Sequence, residues 1–261
     1  MNNTLTSPGY AGIGTLEFKK PNISKIVYAA GLMSFAIPAI SLLSEFLMHG
    51  QAGVNIENAR SQSDYVLMLL QCVLGIAAMN APWLVKKCFK FELPAALQIS
   101  FFAFLFCAIY LGEVKDFYNI VPHWDTMLHT FSGVMIGLLG YMIITAFIEK
   151  QKGKMSLPPI FIAVFIFCFA VCVGAVWEIY EFAADSLFGL NMQKFLQQGE
   201  LLSGHAALVD TMKDIIVDSL GAVVAAVIGY RHSKGKIANA DLNNAKDEKV
   251  FDLENYSGKA A

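Results

Sequence analysis

Apolar residues run along this chain in six long stretches, at about 25–48, 64–85, 94–112, 125–148, 158–187 and 211–230, separated by short polar segments. A bilayer core about 30 Å thick takes roughly 20 apolar residues per helix, so each stretch is long enough to cross. The pattern predicts an all-α, polytopic integral membrane protein, a six-transmembrane-helix bundle. The fifth stretch is longer than the bilayer needs and is expected to tilt or to project past the interface. Pro38 is expected to kink the first span, and Pro82 falls near the end of the second. The sixth stretch reads as a span if Asp214 and Asp218 lie in its outer part or are shielded by protein.

The boundaries of these stretches divide the chain. Residues 1–24 are polar, with Pro8, several glycines, Lys19 and Lys20, and read as a cytoplasmic N-terminal segment. They do not make a signal peptide, because the first apolar run begins only near Ile26 and is too long for an h-region. Residues 25–230 form the transmembrane domain. Residues 231–261 are rich in Asn, Asp, Lys and Glu, lack the apolar content to fold alone, and read as a flexible cytoplasmic tail.

Composition agrees with the pattern. Hydrophobic residues make up 56% of the chain and charged residues 15%, against about 25% charged in a soluble domain. Mean hydropathy is +0.53. Membrane lipids are therefore the expected surroundings. A nucleic-acid partner is excluded by the lack of a basic face, with Arg60 and Arg231 the only arginines. Fifteen Lys and Arg residues fall on one side of the predicted spans and four on the other, namely Arg60, Lys115, Lys194 and Lys213. The positive-inside rule then puts both termini in the cytoplasm and the protein in the inner (plasma) membrane. The five cysteines form no CxxC pair, and Cys168 and Cys172, on one helix face, are expected to be buried small hydrophobes.

Acidic residues at helical spacing interrupt three of the apolar stretches. They are Asp125 with His129, then Glu178, Glu181 and Asp185, then Asp210, Asp214 and Asp218. Spacings of three and four residues line each set along one helix face. Ionisable groups in membrane-grade stretches are costly to bury and mark a functional site by default. In the predicted topology all three sets gather near the non-cytoplasmic face, with Asp218 about 12 Å below Asp210. Gly133, Gly137, Gly174, Gly221 and Ala225 continue the same faces, and small residues let membrane helices approach closely.

Asp125, Glu178, Glu181, Asp214 and Asp218 would converge with His129, and the only basic residue expected nearby is Lys213. Five clustered carboxylates cannot all stay ionised without a cation, so either some are protonated or a divalent metal ion sits among them. The expected ligands are Asp125, His129, Glu178, Glu181 and Asp214. Carboxylates suit Mg²⁺, Ca²⁺ or Mn²⁺, and a histidine admits Zn²⁺ or Fe²⁺. Without metal, His129 serves as a general base or proton relay with a Glu partner. The catalytic candidates are Asp125, His129, Glu178, Glu181, Asp214 and Asp218. Plainer roles compete: helix N-caps for Asp125 and Asp210, a wet helix end for Asp185, and interfacial anchors for Trp83, Trp124 and Trp177. His123 and His205 fall in outer loops. Glu45 and Glu113 end the first and third spans and are weaker candidates.

The strings Trp124-Asp125-Thr126-Met127-Leu128-His129, Val176-Trp177-Glu178-Ile179-Tyr180-Glu181-Phe182 and Asp210-Thr211-Met212-Lys213-Asp214 resemble the YjdF-like family of uncharacterised bacterial inner-membrane proteins. That family shows D-x-x-x-H, E-x-x-E and D-T-x-x-D on successive helices. A more distant similarity reaches VanZ-like membrane proteins. The resemblance covers roughly residues 110–230 and departs at Thr126, where relatives often carry Arg. It implies a shared site and not a named activity.

Three functions fit these residues. One is a metal-assisted or acid–base enzyme on a lipid or lipid-linked substrate at the outer face. No G-x-S-x-G elbow, H-E-x-x-H or aspartate-rich prenyltransferase signature is present to name its reaction. Another is a cation- or proton-coupled transporter, although the inner halves of the spans show no polar path beyond Asn80 and the Cys168–Cys172 face. The third is a non-catalytic accessory or resistance protein whose polar cluster holds the bundle together.

Overall fold

A computed structural model of the chain describes residues 23–52, 62–90, 92–151, 156–197 and 200–258. Most of the predicted N-terminal segment, and the segments carrying Arg60, Lys152 and Lys154, lie outside the described residues.

Helix α1 (Ile23–Ala52) is apolar over most of its length and contains Pro38. The second apolar stretch is divided between α2 (Gln62–Ala78) and α3 (Ala81–Phe89), with a break at Met79 and Asn80. Pro82 sits in the first turn of α3, where its missing N–H has no partner to lose. Helix α4 (Ala95–Leu105) continues directly into a π-helical segment, Phe106–Val114. Such wide turns recur at functional sites, and this one delivers Gly112 and Glu113 to the central cavity. A short α5 (Phe117–Ile120) leads into α6 (Trp124–Lys150). Pro158 and Pro159 open α7 (Pro159–Phe188), and Gly189, in the left-handed conformation at φ 65°, ends it. A two-stranded antiparallel hairpin, β1 (Leu196–Gln197) and β2 (Glu200–Leu201), pairs Leu196 with Leu201 before α8 (His205–Gly258) begins.

Five of these segments are long and apolar enough to cross a membrane: Lys25–Glu45, Tyr65–Phe89, Ala95–Val114, Trp124–Lys150 and Pro159–Phe188. The chain is a helical membrane protein. Its outer surface carries Ile40, Met48 and Leu187 at 70% exposure or more, which in water would be a liability and in lipid is the favourable arrangement. The predicted sixth stretch lies inside α8. That helix does not stop at Tyr230 but continues as helical backbone as far as Gly258. No proline occurs between Arg231 and Gly258, and Ala, Lys, Glu and Leu there are good helix formers that extend a helix already nucleated.

Two apolar cores organise the bundle. Phe35, Cys72, Phe102 and Ile109 join α1, α2, α4 and the π-helical segment. Ile144, Ile162, Ile166 and Ala225 join α6, α7 and α8, which pack against one another more extensively than any other elements. A smaller cluster of Ala184, Leu190 and Met192 ties the segment after α7 to α2. Cys168 and Cys172 are exposed, so their expected burial is corrected: they face outward from α7, toward lipid.

Small residues set the spacing of α6, α7 and α8. A methyl group on Gly133 would strike the backbone carbonyl of Asp218, and one on Gly221 the backbone carbonyl of Thr130. The backbones of α6 and α8 therefore touch at the level of Asp218. Gly174 of α7 completes the crossing, with its missing side chain leaving room for the Asp218 carboxylate.

Candidate metal centre

This close crossing brings four of the six catalytic candidates together. His129, one turn into α6 from Asp125, points its ring between α6 and α8. Its Nδ1 lies 3.2 Å from Asp218 Oδ2. Its Nε2 lies 3.7 Å from Asp125 Oδ1 and 3.9 Å from Asp214 Oδ2. The Ser132 hydroxyl stands 2.7 Å from Asp218 Oδ1 and 2.8 Å from the His129 carbonyl, so its single proton is shared between two acceptors.

The two sides of the imidazole do different things. With its proton on Nδ1, the ring donates to Asp218 and turns the Nε2 lone pair toward Asp125 and Asp214. Metal-bound histidines are oriented by a carboxylate in the same way. Separations of 3.7 and 3.9 Å are too long for hydrogen bonds. They lie within the ~4.2 Å that two ligands about 2.1 Å from one ion can span. One ligand atom from each of Asp125, His129 and Asp214 lies within 4.8 Å of the others, so the donor set fits a divalent cation once side-chain rotation closes the widest pair by up to about 1.4 Å, to the ~3.4 Å between tetrahedral ligands. Asp214 is 2% exposed and its Oδ1 has no hydrogen-bond partner among the described residues. A buried carboxylate oxygen without a partner calls for a proton, a water or a cation.

Lys194 supplies the positive charge that spacing alone assigned to Lys213. It follows α7 in the connecting segment, at a left-handed φ of 48°. Its ammonium donates to Asp125 Oδ2, lies 3.7 Å from Asp210 Oδ1 and sits 5.3 Å over the Tyr118 ring. Burial alone would lower its pKa, but Asp125 and Asp210 outweigh that and hold it above the ordinary 10.5. Asp125 is thus shared, with one oxygen toward Lys194 and the other toward His129. Tyr118 is kept neutral chiefly by burial, reinforced by Glu113, Asp125, Glu181 and Asp214, and its pKa is well above the usual value.

Asp185 holds this lysine in reach. Expected at a wet helix end, it is instead buried, and its two oxygens accept the backbone N–H groups of Met192 (2.7 Å) and Gln193 (3.0 Å). Gln193 also donates to the Thr211 hydroxyl at 2.8 Å, tying the connection to α8. Nothing in the spacing of Lys194 marked it. Its signal was a lone lysine in an outer segment between two acidic helix ends.

The remaining candidates are near but separate. Glu181 is buried beside the cavity and accepts a hydrogen bond from the Trp177 indole at 2.9 Å, so Trp177 does more than anchor an interface. Glu178 is 4% exposed, and neither oxygen has a hydrogen-bond partner among the described residues. Both stand outside the three-residue ligand group. Neither Asp125 nor Asp210 is an N-cap: His123 takes that position on α6, with Asp125 in the first turn, and α8 starts at His205, before Asp210. The Trp124 ring packs edge-on against Phe117 at 5.1 Å.

A cavity of about 850 Å³ opens beside this cluster, between α2, the α4–π segment, α6 and α7. Asp125, His129, Glu181, Lys194 and Asp218 all line it, as does Glu113.

No solved structure matches the chain. A Thermotoga maritima protein described as uncharacterised is 28% identical over 157 residues, covering 60% of this chain and 73% of that protein. The model of the family described as predicted membrane protein (DUF2238) matches residues 39–235, more than half of the chain and all of α6 and α7, and the protein belongs to that family.

Proposed function

We propose that the protein is a membrane enzyme with a divalent-cation centre, acting by metal-assisted or acid–base chemistry on a lipid or lipid-linked headgroup near the outer face of the inner membrane. The observation that carries this reading is the imidazole of His129, held by Asp218 on one side and turned toward Asp125 and Asp214 on the other at ligand-to-ligand distances. The partnerless Asp214 Oδ1 supports it independently.

Asp125, His129 and Asp214 are the ligands in this reading, and such an ion supplies Lewis-acid activation of a water or headgroup oxygen. The rest falls to the protein. Asp218 fixes the ring of His129, Lys194 fixes Asp125, and Glu181, oriented by Trp177 on the cavity wall, is the acid or base. Glu178, buried behind them, is a proton reservoir.

The membrane arrangement is proposed with it. Residues 211–230 of α8 form a sixth span, supported by the burial of Asp214 and Asp218 against His129, away from lipid. The fifteen-to-four distribution of Lys and Arg supports cytoplasmic termini, with residues 1–24 and 231–261 flanking a 25–230 membrane domain. The three acidic strings support kinship with YjdF-like proteins and, more distantly, with VanZ-like proteins.

Elemental analysis of protein purified without chelators tests the centre. The native chain is expected to carry about one divalent ion per molecule, and Asp125→Asn, His129→Ala and Asp214→Asn variants that melt cooperatively are expected to carry none. Equal metal content in native and variant protein would overturn the assignment.

A further inference from the structure

The cavity beside the metal centre changes character along its length, and it does so on three helices at once. On α6 its wall runs from Asp125 and His129 through Ser132 to Met135 and Ile136. On the α4–π segment it runs from Glu113 back to Phe104 and Phe101, and on α7 from Glu181 back to Val173. From Asp125 to Ile136 the helix rises about 16 Å, roughly half of the ~30 Å hydrocarbon core. The cavity as a whole therefore spans about one leaflet, with a headgroup environment at one end and a hydrocarbon environment at the other. A volume of about 850 Å³ lies within the ~300–1,000 Å³ typical of small-molecule sites, which suits a single chain with a compact head.

The charge on the wall selects the head. Glu113, Asp125, Glu181 and Asp218 face it, while Lys194 is already engaged by Asp125 and Asp210. With the proposed divalent ion bound, its two charges and that of Lys194 are outnumbered by Glu113, Asp116, Asp125, Asp214 and Asp218, so an anionic head would meet net negative charge. Hydroxyl groups, by contrast, donate to carboxylates and accept from the neutral phenol of Tyr118, which also lines the wall. The Tyr180 hydroxyl, buried on the same wall with no hydrogen-bond partner among the described residues, offers a further polar contact.

We infer that the cavity binds a single-chain amphiphile with an uncharged, hydroxyl-bearing head, its chain between α2, α4 and α6 and its head at the Asp125–His129–Glu181 end. This rests on the proposed function for the role of the acidic end and names the substrate class of that same site.

Tritiated monoolein binding to the full chain in dioleoylphosphatidylcholine nanodiscs tests it, with unlabelled monoolein and oleoyl lysophosphatidic acid as competitors. Saturable binding is expected, with lysophosphatidic acid competing about tenfold more weakly or worse. Ala108→Trp and Ala78→Phe fill the apolar part from two different walls, and each is expected to weaken binding about tenfold or more while keeping the native metal content. Absence of saturable binding above that of empty nanodiscs, or undiminished binding in both filled variants, would overturn the proposal. Equal competition by lysophosphatidic acid would overturn the assigned head. Metal content, read on the same samples, reports separately on the centre: a metal-free native chain that still binds monoolein sinks the centre and leaves the chain-binding cavity standing.

Discussion

Lys194, in the connection between α7 and α8, donates to Asp125 in the first turn of α6. The pair joins the segment after α7, which Leu190 and Met192 pack against α2, to the helix that carries His129. It also occupies the Asp125 oxygen that does not face the imidazole, so the geometry of the centre depends on a residue outside every helix.

Replacing Lys194 with Met removes that restraint and takes the ammonium from the partly buried Asp125 Oδ2. The lysine side chain is 34% exposed and that of the aspartate 16%, which puts the pair between the surface and buried limits. A loss of about 1–2 kcal/mol is expected, seen as a melting temperature several degrees lower in detergent. Adding Asp125→Asn to the variant is expected to cost less than the two single losses combined, because the two residues interact directly.

The same pair predicts a pH dependence. The folded pKa of Lys194 lies above its ordinary 10.5, so its stabilisation is complete below pH 10.5 and disappears as pH rises through the folded value. The melting-temperature gap between native protein and Lys194→Met is expected to stay constant from pH 7 to about 10 and to close above that. A gap that closes near neutrality would assign the effect to another group.

Asp218→Asn keeps the size of the side chain but changes what it presents to His129 Nδ1. An amide can offer its N–H there and displace the proton to Nε2, the atom proposed to face the metal. Metal affinity is expected to fall roughly 10–100-fold with the melting temperature little changed, measured by competition with a chelating dye.

Gly133 and Gly174 both bear on Asp218, but through different atoms. A methyl group on Gly133 would meet its backbone carbonyl, and one on Gly174 would lie 2.7 Å from carboxylate Oδ2. A side chain can rotate away, whereas a helix backbone moves only with its helix. Gly133→Ala is therefore expected to cost more stability than Gly174→Ala, within the ~1–3 kcal/mol range of overpacked sites. Gly174→Ala is expected to act mainly on metal affinity.

Asp185→Ala deprives two backbone N–H groups, on Met192 and Gln193, of their acceptors. Limited proteolysis is expected to cut between residues 190 and 204 much faster than in the native chain, with a stability loss of about 1–3 kcal/mol. Resistance equal to the native chain would mean that the Ala184, Leu190 and Met192 cluster holds the segment unaided.

The helices and the helix faces that carry the acidic residues were legible in the sequence, because hydrophobic run length and i, i+3, i+4 spacing act locally. That is how Asp125, His129, Asp214 and Asp218 could be grouped before any coordinates. Spacing cannot say which of several acids on converging faces come within a few ångströms. That was decided by the crossing of α6 and α8 at Gly133 and Gly221, which admitted Asp214 and Asp218 to His129 and left Glu178 and Glu181 outside the ligand group. Lys194 and Asp185 were misjudged for a related reason. Their partners lie across a turn whose path depends on backbone hydrogen bonds and on packing against α2, and neither leaves a periodic trace. The continuation of α8 past Tyr230 was likewise hidden, since a polar tail reads as unfolded by composition while a helix already formed extends at little cost through residues that favour it. Membrane character and helix content follow from residue type along one chain, whereas a centre built from three helices and a turn exists only once their backbones meet.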